Sequence, residues 1–151
     1  MIRGRTPLLL VFIVAALAMA LGMDRNLGVY DEGVILTGAM RVAAGDVPHG
    51  DFYANYGPGQ FYVVAALFKL FGQYAIAERA YDTLVRAGIV AMCYGIAAGV
   101  AHRRIALAAA AAVFLWLYGL GYYGYPMLPV TLLSLAAAAL VQPSLAGTGS
   151  A

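Results

Sequence analysis

The sequence predicts an all-α membrane protein, with about four transmembrane helices and two short interfacial helices in its first extracytoplasmic loop. Three observations predict it. The 151-residue chain is 64% hydrophobic and only 11% charged, whereas a soluble domain usually carries about 25% charged residues. Its mean hydropathy is +0.83. Four of its seven acidic residues, Asp31, Glu32, Asp46 and Asp51, crowd into the stretch 29–62, "VYDEGVILTGAMRVAAGDVPHGDFYANYGPGQFY", between two apolar runs.

The same composition excludes several function classes. A net charge of +2, spread over scattered basic residues, gives no nucleic-acid footprint. The single cysteine, Cys93, excludes an intramolecular disulfide framework and a Cys-based zinc site. No Gly-rich phosphate loop, HExxH helix or ordered Ser–His–Asp set is present. The bias to arginine over lysine, with abundant Ala and Gly, is that of GC-rich codons and favours a bacterial source; with the apolar composition, the expected location is the bacterial inner (plasma) membrane.

Each element has its own signature. Residues 7–23, "PLLLVFIVAALAMALGM", form an uncharged run at the lower limit for a spanning helix. Arg3 and Arg5 before it place the N-terminus in the cytoplasm. The basic start, apolar centre and "AMA" at 18–20 also describe a cleavable signal peptide, but a retained helix is expected because the rest of the chain is itself apolar. Further spans are expected at 83–101, 105–121 and 127–141, with the tail "QPSLAGTGSA" as a loop.

Between the first two spans, residues 59–71, "GQFYVVAALFKLF", decide the topology. If they crossed, Arg103 and Arg104 would fall on the outer side, against the positive-inside bias. A piece this short, containing Lys69, is instead expected to lie in the outer interface as a helix over 58–72. Its partner is an amphipathic helix over 31–44, where Ile35, Ala39, Val42 and Ala43 recur at helical spacing while Thr37 and Arg41 face away. Gly45 ends that helix, "GDVPHGD" is a turn-rich connector, and Pro58 opens the next helix. The whole of 24–82 is therefore expected outside the cytoplasm.

The acids of this loop are the candidate chemistry. Asp31 and Glu32 open the amphipathic helix, where capping and the helix dipole explain them at about 0.3–1 kcal/mol each. A carboxylate at the membrane surface can also act as a general base. Asp51 precedes the aromatic turn of Phe52, Tyr53 and Tyr56, whose rings suit the headgroup level. Glu32, His49 and Asp51 are weak candidates for holding a divalent cation such as Mg or Mn, since such a site needs more oxygen ligands than the loop offers. Arg79 pairs with Asp82 at i, i+3, or meets a lipid phosphate. Arg86 snorkels outward or pairs with Asp82. Gly95, Ala97, Gly99 and Ala101 permit close contact with partner helices or a missing C-terminal part.

The order of these features resembles the N-terminal part of GT-C glycosyltransferases, membrane enzymes that include protein O-mannosyltransferases and lipid A aminoarabinose transferases. The resemblance covers residues 8 to about 104. It rests on Asp31-Glu32 after the first span, Gly45 to Pro48 with Asp51, Gly57-Pro58, Leu70-Phe71-Gly72 and Arg79. The family's paired prolines stand here as Gly57-Pro58, and the His or Glu often beside them is replaced by "NY". The resemblance implies inverting transfer of a sugar from a polyprenyl-phosphate donor to an acceptor at the outer membrane face. Asp31 would be the general base. Glu32 and Asp51 would orient the acceptor or hold a cation, and Tyr53, Tyr56 and Arg79 would contact substrate. It also implies that residues 1–151 are one membrane domain at the start of a larger enzyme. The alternative is a small non-catalytic polytopic protein with a lipid- or partner-docking loop.

Overall fold

The computed structural model describes residues 5–23, 26, 28, 30–121 and 123–147, with no side-chain description of 5 and 143–147. Arg3, the side chain of Arg5 and residues 148–151 of the tail lie outside the described residues. The described residues form six helices and no strand: α1 (Arg5–Leu21), α2 (Asp31–Ala44), α3 (Gly59–Phe71), α4 (Ala75–Val100), α5 (Arg103–Gly119) and α6 (Met127–Gly147). Among them only α4 is both long and apolar enough to cross a membrane by length and composition. Two compact units result, one of Met1–Met23, Thr83–Leu120 and Met127–Ala151, the other of Asp24–Asp82 and Gly121–Pro126.

The second unit is built on α2 and α3. Ile35, Leu36, Ala39 and Val42 make the buried stripe of α2, and Phe61, Val64, Ala65 and Phe68 that of α3. Both follow the i, i+3, i+4, i+7 spacing of an amphipathic helix. Gly45 ends α2 with φ 112°. Its N–H reaches the Val42 carbonyl and the Asp46 N–H reaches the Arg41 carbonyl, which is the Schellman pattern that favours glycine there. Where the two helices meet, a Cβ on buried Gly38 would stand 2.4 Å from the Phe61 ring. Gly38→Ala is therefore expected to lower stability by about 1–3 kcal/mol through overpacking, read as a fall in the thermal midpoint.

The first unit holds α1, the later part of α4, α5 and α6. A Cβ on Gly88 would come 3.0 Å from Leu132, and one on Gly99 would come 2.7 Å from Gln142 Nε2, so both glycines of α4 admit α6 closely. Gln142 Nε2 donates to the Ile96 carbonyl at 3.0 Å. Arg86 does not snorkel. It is buried, and its Nη1 donates to the carbonyls of Leu117 at 2.7 Å and Leu120 at 2.9 Å. Those carbonyls close the C-terminal end of α5, which has no helical partners for them. Removing the guanidinium in Arg86→Leu leaves them unsatisfied, at an expected cost of about 1–3 kcal/mol in thermal unfolding.

Several boundaries differ from the sequence reading. The apolar run expected as a span at 83–101 lies within a longer helix that begins at Ala75, because Glu78, Arg79 and Asp82 interrupt the apolar run without interrupting the helix. All three are buried. The apolar run expected at 105–121 forms a helix starting at Arg103, whose first turn is capped when His102 Nδ1 accepts the Arg104 N–H at 3.3 Å. The tail expected as a loop from Gln142 is helical to Gly147.

Candidate functional site

Neighbouring residues on an α-helix point about 100° apart, so Asp31 and Glu32 in the first turn of α2 go to different places. Glu32 falls in line with Ile35, Leu36 and Ala39 and is carried to the buried face. It is 2% exposed. A carboxylate there needs a partner, and Arg79 supplies it across 47 positions of sequence. Arg79 Nε donates to Glu32 Oε1 at 2.6 Å and Nη2 to Oε2 at 2.9 Å. The Gly28 N–H donates to the same Oε2 at 2.6 Å. Arg79 Nη2 also donates to the Asn26 carbonyl at 2.7 Å, and the Tyr123 ring lies 4.7 Å from its guanidinium carbon. The fork thus ties the approach to α2, the head of α4 and the 121–126 segment into one unit.

Asp31 is only half-buried. Its Oδ1 accepts a hydrogen bond from the Tyr56 hydroxyl, and its Oδ2 has no hydrogen-bond partner among the described residues. The Asp31 carboxylate beside the phenol, together with burial, pushes the Tyr56 hydroxyl up to about 12 from its ordinary 10.0. Because the folded value is raised, the bond's contribution is complete below about pH 10 and disappears as pH rises through about 12. A phenolate titration of the protein minus that of Tyr56→Phe is expected to leave a step near 12, where an isolated tyrosine would give one near 10.

The connector is pinned by its own polar groups. Asp51 Oδ2 accepts the Val47 N–H at 2.8 Å, and the Asp51 carbonyl accepts from Arg41 Nη2 at 3.0 Å. Arg41 Nε meets Asp46 Oδ2 at 2.7 Å, with its guanidinium 4.5 Å from the centre of the Phe52 ring. His49, at φ 66°, places Nε2 3.1 Å from the Tyr56 carbonyl, which makes that nitrogen the donor. Tyr53 is 90% exposed.

Asp31, Tyr56 and His49 thus come together through hydrogen bonds, while Glu32 and Arg79 form a separate buried pair. Asp51 is engaged by its own turn. No group of three or more His, Cys, Asp or Glu able to hold a metal ion occurs among the described residues, so Glu32, His49 and Asp51 do not converge. The sequence reading missed Tyr123 under the Arg79 guanidinium, and no local pattern marks it. The burial of Glu32 was legible, since it stands three positions before Ile35 on the apolar stripe. Comparison with protein families, with curated proteins and with solved structures finds no match.

Proposed function

We propose that this chain is the N-terminal, membrane-embedded portion of an inverting glycosyltransferase of the GT-C kind, taking a sugar from a polyprenyl-phosphate donor. The observation that carries the reading is the Asp31 carboxylate. It is held by Tyr56 on one oxygen and has no hydrogen-bond partner on the other among the described residues, at the start of a helix in the unit that gathers the loop's acids. In the proposed step the acceptor hydroxyl oxygen attacks the anomeric carbon, and its proton passes to Asp31 Oδ2. The bond from that carbon to the phosphate oxygen breaks, and the polyprenyl phosphate leaves with the electron pair. Attack opposite the leaving group inverts the configuration. The phosphate leaves as a stable anion, so it needs cations nearby more than a strong acid.

Membrane spanning by α1, α4, α5 and α6 belongs to the same proposal. Its support is that Leu9, Leu10, Leu17, Leu115, Trp116, Leu133 and Leu140 are all more than half exposed, which water would penalise and lipid would not. Arg103 and Arg104 open α5, where positive charge opposes the helix dipole by about 0.3–1 kcal/mol each. A cytoplasmic anchoring role accounts for keeping them. At 13 residues, α3 reaches about 20 Å, short of a hydrocarbon core of about 30 Å, which suits an interfacial helix.

The test is a transfer assay with the full-length gene product in proteoliposomes, using a labelled polyprenyl-phosphate sugar and outer-face acceptors. Label is expected on the acceptor with inverted anomeric configuration, and a glycosylation tag in the 45–51 connector is expected to report the outer side. Retained configuration contradicts the mechanism. A complete, stable protein that ends at residue 151 and transfers no sugar favours the non-catalytic docking alternative, which the structural use of Glu32 would then explain.

A further inference from the structure

A groove of about 410 Å³ lies in the unit that holds α1, α5 and the later part of α4. Leu10, Val14 and Ala18 of α1 form one wall, Leu107, Ala111 and Phe114 of α5 the other, and Val90 of α4 the floor. On each wall the residues recur every three or four positions, along one face of the helix. None of the lining side chains carries a polar atom, so water has nothing to bond to there.

The two ends of the groove differ. One turn beyond Phe114, Tyr118 stacks on it with ring centres 5.6 Å apart. One turn beyond Ala18, Gly22 lies against that Tyr118 ring, where a Cβ would overlap it. This end is closed. At the other end, one turn before Leu107 on the same face of α5, stand Arg103 and Arg104, both exposed. Neither makes an ion pair among the described residues. Their own unit contains no Asp or Glu, because all seven acids of the chain lie within 24–82.

We infer that this groove holds one acyl chain of an anionic glycerophospholipid, with the lipid phosphate on Arg103 and Arg104. Charge selects the headgroup. Two guanidinium forks with no carboxylate in their unit suit phosphate oxygens. His102 Nδ1 accepts the Arg104 N–H at 3.3 Å, which leaves Nε2 as a further N–H donor. Length selects a chain over a helix. From Leu10 to Ala18 the groove runs about 12 Å, less than half of a hydrocarbon core of about 30 Å, and its closed end stops a spanning helix from lying along it. Leu10, Val14 and Leu107 are 59%, 58% and 43% exposed, so a hydrocarbon chain between them covers apolar surface that the unit leaves bare.

The inference rests on the membrane-spanning part of the reading above and not on sugar transfer. Positive charge assigns this end of α5 to the cytoplasmic leaflet, whereas transfer is proposed at the outer face. Native mass spectrometry of the detergent-solubilised chain tests it, with dioleoyl phosphatidylglycerol and dioleoyl phosphatidylcholine as probes that share their chains and differ in charge. One phosphatidylglycerol per chain is expected, bound about five- to thirtyfold more tightly than phosphatidylcholine, the worth of two basic residues at an anionic headgroup. Arg103→Gln combined with Arg104→Gln is expected to erase that preference, and Lys69→Gln, a cation of the other unit, to leave it intact. Ala111→Phe, at an exposed position of the wall, is expected to weaken both lipids alike while helical circular dichroism is kept. Equal affinity for the two lipids, a preference that survives the double substitution or disappears in Lys69→Gln, or unaltered binding in Ala111→Phe overturns the inference. So does a dimer that Ala111→Phe disrupts, which would put a second copy in the groove. If the lipid preference is absent while transfer still depends on Asp31, the lipid site alone is wrong. If phosphatidylglycerol binds as expected and no sugar is transferred, the transferase reading alone is wrong.

Discussion

Arg79→Met is expected to destabilise the protein by about 3–5 kcal/mol, the cost of leaving one member of a buried ion pair uncompensated. Glu32 and Arg79 are 2% and 5% exposed, so water cannot take over the lost bonds. The substitution removes both arms of the fork on Glu32, the bond to the Asn26 carbonyl and the cation on the Tyr123 ring. Removing both charges together is far milder, because the penalty comes mainly from the orphaned charge. Glu32→Leu combined with Arg79→Met is thus expected to recover most of the loss, although the Gly28 N–H then lacks its acceptor. Thermal unfolding of wild type, both single variants and the double variant, read as a double-mutant cycle, measures this directly. Equal, small losses in all three would show that the pair contributes little.

On the proposed transferase reading, Asp31→Asn is expected to lower transfer by about 10²–10⁴-fold, the usual range for loss of a positioned general base. The amide keeps an oxygen for the Tyr56 hydroxyl to reach, so the site's shape survives while the proton acceptor is lost. Stability is expected to change by less than about 1 kcal/mol, because Asp31 is only half-buried and makes one side-chain hydrogen bond among the described residues. The predicted signature is a fall in kcat with little change in KM for the acceptor, as expected for a group that acts in the transition state.

Much of the fold was legible because periodicity reports burial. Helix α2 occupies 31–44 with the expected apolar face, Gly45 ends it, and Pro58 stands at the N-cap of α3. What was not legible depended on contacts distant in sequence. Arg79 was read against Asp82 in its own helix, while its fork on Glu32, 47 positions away, went unread, and Arg86 holds the end of α5. The apolar run at 83–101 marks only part of its helix, which extends back to Ala75. The charged first turns of α4 are helical because their side chains find partners within the fold, and hydropathy along the sequence cannot register that. The site divides the same way. The acids and the buried register of Glu32 were visible in the sequence, but the partners that hold them, Arg79 for Glu32 and Tyr56 for Asp31, were not.

The central claim is that these two adjacent acids have separate roles, Glu32 in holding the fold and Asp31 in chemistry. Asp31→Asn and Glu32→Gln, compared side by side in full-length protein for transfer rate and thermal midpoint, test it most directly. The expected result is a large loss of rate at normal stability for Asp31→Asn, and a large loss of stability for Glu32→Gln. Normal transfer by Asp31→Asn would contradict the account.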